Sequence, residues 1–205
     1  MNNVDDTIRY YDDHAEEFFQ STHNLDMSEL YKPFLDMLPS KASILDVGCG
    51  SGRDSLCFMR LGYEVTPFDA SKKMVALSSK LLGMKIIQLD FENMDFNNQF
   101  DGIWACAIFL HVTKNKMNSI ISKMERALVD NGVMYASFKY GEGEKTENGR
   151  LFSYYTEESL ADLLIDFPKL QIERMWKTED VRQDGNHKLW LNVLARKMTY
   201  SGTLI

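Results

Sequence analysis

The chain has 205 residues, with 23 Lys plus Arg against 30 Asp plus Glu and a formal charge of −7. That length suits one domain with a sizeable core, and the acidic balance argues against nucleic acid as a partner, because polyphosphate-binding surfaces need clustered cations to release counterions. Cys49, Cys57 and Cys106 are odd in number and lack CxxC spacing, which argues against a structural zinc and for a reducing compartment.

The opening MNNVDDTIRYYDD is acidic and polar, the reverse of a secretory leader, and no apolar stretch approaches the ~18 residues of a membrane helix. A cytoplasmic protein without a membrane partner is the expectation. Residues 8–20 and 28–38 read as helices placed ahead of any sheet, with Pro33 tolerated only near a helix start. From about residue 43, apolar runs of strand length alternate with helix-period stretches, the pattern of parallel strands joined by crossover helices. Residues 43–47 form a first strand, 51–61 a helix closed by Gly62, and 63–69 a second strand. Ser71 then caps a helix carrying Met74, Val75, Leu77 and Leu81 on one face.

Residues 85–90 and 100–106 give the third and fourth strands, and Met117, Ile120, Ile121, Met124 and Leu128 make a helical stripe before a fifth strand at 133–138. The stretch 140–153, rich in glycine and charge, reads as a mobile surface loop, and Thr156 with Glu157 and Glu158 opens a short helix. Segments 170–181 and 188–196 flank an Asp-Gly turn signal as an antiparallel hairpin. The expected fold is α/β: a Rossmann-like, mostly parallel seven-stranded sheet with a C-terminal antiparallel hairpin and helices on both faces. A helical lid segment at 1–40 precedes the single domain at 41–197, and a polar tail at 198–205 follows it.

The stretch ILDVGCGSGRDS carries the chemistry. Asp46 ends an apolar run, Gly48, Gly50 and Gly52 alternate behind it, and a second acid, Asp69, closes the next strand 23 residues after Asp46. Glycines let the backbone turn tightly and let a ligand approach, while an acid at the second strand end can bind both hydroxyls of a ribose. A dinucleotide loop of GxGxxG type needs glycine where this chain has Arg53, and a pyrophosphate would meet Asp46 with no lysine in the loop to compensate. A nucleoside bearing an amino acid fits better: Arg53 for its carboxylate, turn carbonyls and Asp46 for its ammonium, Asp69 for its ribose. That ligand is S-adenosylmethionine. The plainer reading of the same residues is a glycine turn beside an unrelated strand-end carboxylate.

The stretches LDVGCGSGRDSLCFMRLGYEVTPFDAS, QLDFEN, FDGIWACAIFLHV and NGVMYASFKYG resemble, in order, the motifs of the class I S-adenosylmethionine-dependent methyltransferases. GSGRDSL ahead of GYEV is similar to the small bacterial enzymes of the tellurite-resistance and small-molecule type. The resemblance implies that Asp46, Gly48, Cys49, Gly50, Gly52 and Arg53 form the methionine-side loop, and that Asp69 holds the ribose with Ala70 and Ser71 beside it. It further implies that Asp90 bonds the adenine amino group with Phe91 near the ring, and that the backbone at Ala105 and Cys106 approaches the sulfonium. Through RYYDDHAEEF it brings Tyr11 within reach of the methionine carboxylate. The product would be S-adenosylhomocysteine.

Methyl transfer is an in-line displacement in which positioning alone supplies up to ~7–11 kcal/mol, so a conspicuous catalytic residue is not required. His111, after the fourth strand, is the candidate base, with a pH dependence near 6–7; it could equally cap the helix that begins near Thr113. Lys139, Tyr140 and Arg150 flank the 140–153 stretch and are candidate substrate-binding residues, unless they are simply solvated. No metal site is expected. The function expected is methyl transfer to a small-molecule acceptor; protein or RNA methylation, and a non-catalytic S-adenosylmethionine-binding module, are the alternatives.

Overall fold

The run Ile44-Leu45-Asp46-Val47 is buried on both faces, as a central parallel strand must be. It forms β1 (Ser43–Val47), which pairs in parallel with β2 (Glu64–Asp69) on one side, where the short edge strand β3 (Ile87–Gln88) lies beyond β2, and with β4 (Phe100–Ala105) on the other. The computed structural model describes residues 3–182 and 188–199. β5 (Leu128–Tyr140) lies parallel to β4. The hairpin of β8 (Leu170–Glu179) and β9 (Leu189–Lys197) closes the sheet antiparallel, β9 lying against β5. The Asp-Gly turn expected between them lies outside the described residues, as does all of the 198–205 tail except 198–199.

Alternation along the central strands sorts side chains onto two cores. Leu45, Val47 and Ile103 face α6 (Lys114–Ala127), whose Met117, Ile120, Ile121 and Met124 form the expected stripe. Ile44, Trp104 and Tyr135 face the other way, onto Phe58 of α4 (Arg53–Arg60) and Phe34 of α3 (Ser28–Leu35). α5 (Lys72–Leu82) and α7 (Glu157–Ile165) complete the crossovers, and their caps Ser71 and Thr156 each accept a helical backbone N–H. Among the described residues no helix is long and apolar enough to cross a membrane.

Four readings change. The 8–20 helix breaks at His14 into α1 (Asn3–Asp13) and α2 (Ala15–Thr22). Pro33 sits inside α3 instead of near its start; the carbonyl it deprives of a donor is that of exposed Glu29, where water can serve. Leu128 belongs to β5, because the backbone turns extended there. The 140–153 stretch is no irregular loop: β6 (Glu144–Glu147) and β7 (Arg150–Tyr155) form a hairpin around Asn148-Gly149, both with positive φ as a tight primed turn demands. β7 then pairs in parallel with Lys139 and Tyr140, past the end of β4, while β9 keeps the opposite edge of Lys139. The added hairpin therefore stands over the carboxyl end of the sheet, where ligands bind in open α/β folds.

Candidate active site

Where β1 ends, the chain turns through Gly48 (φ +66) and Gly50 (φ +51). A Cβ on Gly48 would lie 2.5 Å from Ile108 Cδ1, so that position is closed to any side chain. At Gly50 a Cβ would make ordinary contact with the edge of Phe18, at 3.5 Å, and the Gly48 carbonyl, at 3.9 Å, beside the cavity the loop borders. The Gly50 N–H donates to Asp69 Oδ2 (2.9 Å), and the Ser71 N–H donates to Asp69 Oδ1 (2.8 Å). A carboxylate offers about four acceptor positions, so each oxygen retains capacity for a ligand hydroxyl. Burial raises the pKa of Asp69.

Asp46 lies behind the loop and does not line the cavity. It accepts from Ser55 Oγ (2.5 Å), and burial with the neighbouring Asp54 carboxylate pushes it up to about 8. A cation placed against the loop would favour its ionised form. Gly52, the α4 cap, packs on Ser78 and is likewise out of the cavity, and Ala105 is fully buried beneath it. Cys49, Ala70, Ser71 and Cys106 do line it; burial pushes the Cys106 thiol up to about 12, so it carries no thiolate. Asp90 both lines the cavity and caps a turn, accepting from the Asn93 N–H (2.9 Å) and Nδ2 (2.7 Å). Phe91 is at once core and cavity wall.

Arg53 is not a loose cation. Its Nε (2.5 Å) and Nη2 (3.0 Å) fork onto Asp54, which also accepts from Tyr31 Oη (2.6 Å) and Trp104 Nε1 (2.8 Å). Burial opposes ionisation of Asp54, yet the Arg53 guanidinium and these donors outweigh it and hold the carboxyl below its ordinary value. Asp54 was invisible to the motif argument. The adjacent Arg-Asp at the start of α4 is its local sign, and Tyr31 and Trp104 come to it from other elements.

The N-terminal helices roof the cavity. Asp12 Oδ1 accepts from Ser71 Oγ (2.6 Å) and the Lys73 N–H (3.0 Å), tying α1 to the start of α5. Tyr11 Oη lies 2.8 Å from His111 Nε2, and His111 Nδ1 lies 2.8 Å from the Leu151 carbonyl. A carbonyl only accepts, so Nδ1 carries the proton and Nε2 accepts from the Tyr11 hydroxyl. His111 caps no helix: it ends a short 3-10 turn and is buried between α1 and β7. Burial, with the charges of Arg150 and Lys139, pushes it down to about 4, so the expected titration near 6–7 is displaced to acid.

Lys139 Nζ sits 3.6 Å over the Phe152 ring, and burial together with Lys188 pushes its pKa down to about 8. The Arg150 guanidinium lies over Tyr10 (4.1 Å) and Phe152 (5.1 Å). Both line the cavity. Tyr140 does not: it packs against the core with Lys177 4.6 Å over its ring. The whole cavity measures about 440 Å³ and runs from Asp69 past Cys106 to Lys139 and Arg150.

Residues 44–132, which carry the glycine turn and Asp69, match the family model described as a methyltransferase domain. Over that segment the chain is similar to methyltransferases. Over 158 residues the chain is 28% identical to an uncharacterized methyltransferase of Staphylococcus carnosus, covering 76% of this chain and 74% of that one. Over 117 residues it is 26% identical to the probable S-adenosyl-L-methionine-dependent methyltransferase TehB of Haemophilus influenzae, covering 54% of this chain but 40% of the relative, so it spans under half of that protein's length. The crystal structure of Burkholderia thailandensis 1,6-didemethyltoxoflavin-N1-methyltransferase, with 1,6-didemethyltoxoflavin and S-adenosylhomocysteine bound, shares the fold. Its TM-score is 0.77 at 20% identity, over 96% of this chain and 87% of that one. The space in front of Gly50 and the spare acceptor capacity of Asp69 suit S-adenosylmethionine.

Proposed function

We propose that the protein methylates a small-molecule nucleophile by in-line transfer from S-adenosylmethionine. The carrying observation is the roofed cavity itself. At about 440 Å³ it lies low in the ~300–1,000 Å³ range of small-ligand pockets, and it continues beyond the glycine loop to the polar wall of Tyr11, Lys139 and Arg150. A module that only bound the nucleoside would have no use for that continuation, and a polymer would have to displace α1, α2 and the β6–β7 hairpin to enter.

In this reading Asp69, Ala70, Ser71, Asp90 and Phe91 hold the nucleoside, while Gly48, Cys49, Gly50 and Arg53 border its amino-acid end with Asp46 behind. When bound, S-adenosylmethionine supplies an electrophilic methyl group on a sulfonium. The chain excludes water with α1 and α2, and its Tyr11 hydroxyl donates a hydrogen bond to His111 Nε2, which turns the phenol lone pairs toward an acceptor O–H or N–H. His111 acts through Tyr11 and is a positioning residue.

The test is incubation of the protein with methyl-labelled S-adenosylmethionine and, in separate reactions, a metabolite pool, folded proteins and RNA. Label should enter small molecules with one S-adenosylhomocysteine formed per product. Label confined to protein or RNA would overturn the small-molecule reading, and tight cofactor binding without label in any reaction would mark a binding module.

A further inference from the structure

The acceptor end of the cavity carries more cation than the fold itself uses. Lys139 and Arg150 come from different strands, β5 and β7, yet both bear on the same buried His111. Lys139 makes ring contacts with Phe152 and Tyr154, and among the described residues no carboxylate lies within ion-pair distance of its ammonium. The Arg150 guanidinium is flanked by the faces of Tyr10 and Phe152, and its Nε is buried without a hydrogen-bond partner among the described residues.

Such an arrangement is expensive in a folded protein. A buried donor left unpaired has given up its hydrogen bond to water without replacement, the more so when charged, and neighbouring like charges add to that cost. The remaining charged groups around Lys139 do not cancel the excess. Arg182, engaged with Asp180 at 2.6 Å, and Lys188 add positive charge from the β8–β9 end, while Glu147 on β6 and Glu179 and Asp180 at that end are acids that share this part of the cavity wall. His111 is neutral and offers no charge of either sign to this wall. Asp69 and Asp90 line the opposite, nucleoside end of the cavity.

We propose that Lys139 and Arg150 bind an anionic oxygen group, a carboxylate or a phosphate, on the methyl acceptor. The inference rests on the small-molecule reading above and narrows it to anionic acceptors. An anion seated between the two side chains would give Arg150 Nε and the Lys139 ammonium the charge-assisted hydrogen bonds they lack. The Phe152 and Tyr10 faces hold both cations while leaving their donors for the ligand.

The test uses the full chain saturated with S-adenosylhomocysteine and titrated calorimetrically with three anions, benzoate, nicotinate and inorganic phosphate, and with the neutral counterparts benzamide and nicotinamide. At least one anion should bind, and neither benzamide nor nicotinamide should. Which anion binds separates a carboxylate site from a phosphate site. Lys139→Met and Arg150→Met should each weaken the anion roughly tenfold, the scale of one lost charge-assisted hydrogen bond, while Lys139→Arg restores most of it. Anion affinity should also fall as pH rises above 8, where Lys139 loses its proton. S-adenosylhomocysteine affinity should stay within about twofold in all variants, and their thermal midpoints report whether they fold. Equal binding of charged and neutral probes, or no binding of any anion at millimolar concentration, would overturn the inference. A tenfold loss of S-adenosylhomocysteine affinity in Arg150→Met would overturn it too, by showing that the pair holds the cofactor's own carboxylate. Failure of the wild-type chain to bind S-adenosylhomocysteine would instead strike the underlying reading.

Discussion

Tyr11 and His111 stand 100 residues apart and meet at 2.8 Å, with the imidazole locked from behind by the Leu151 carbonyl. The contact joins the roof of the cavity to its wall. Tyr11→Phe leaves a buried imidazole nitrogen without its donor, a loss of about 1–3 kcal/mol that falls on α1. Hydrogen exchange across residues 3–13 should quicken, and S-adenosylhomocysteine should dissociate faster; unchanged protection would mean that the Asp12 contacts alone hold the roof.

The same burial makes stability depend on pH with a definite sign. Folded His111 titrates at about 4, below the ~6.5 of an unfolded chain, so the unfolded state takes up the proton first. Its contribution is present above about pH 6.5 and is lost as pH falls toward 4, by roughly 3 kcal/mol in all. Urea midpoints of wild type and His111→Gln, measured between pH 7 and 4, should converge toward acid pH. Parallel curves would show that the imidazole is not buried neutral.

Asp69 holds Gly50 and Ser71 in place while keeping acceptor capacity for a ribose. Asp69→Ala should weaken S-adenosylhomocysteine by about 2 kcal/mol, the scale for bonds to a charged group, as read by titration calorimetry. Because burial raises this carboxyl, wild-type affinity should begin to fall at a higher pH than an ordinary carboxylate would dictate. Unaltered binding by the variant would place the ribose elsewhere.

Asp54 gathers donors from Arg53, Tyr31 and Trp104. Asp54→Ala strands the Arg53 guanidinium in a largely buried position, and removing one partner of such a pair costs about 3–5 kcal/mol. Tyr31→Phe deletes one donor of several and should cost about 1 kcal/mol. Chemical denaturation ranks the two, and equal effects would contradict the view that the charge pair dominates.

The strand–turn–helix around Asp46 to Ser55, the acid at Asp69 and the α/β alternation were legible from the sequence because each depends on local physics. A central parallel strand must be apolar on both faces, a left-handed turn selects glycine, and a crossover helix repeats its apolar face every 3.6 residues. The Asn148-Gly149 turn was equally local and still escaped, since the charge and glycine around it read as loop composition. What tertiary structure alone decided is which of these residues share a space. It turned Tyr140 away from the cavity that holds Lys139, one residue earlier, because neighbouring side chains on a strand point to opposite faces. It put Arg53 onto Asp54 and Tyr11 onto His111, and set Arg150 between Tyr10 and Phe152. Several of these are pairings between distant segments, fixed by how helices and the added hairpin close over the sheet edge, and no local propensity encodes them.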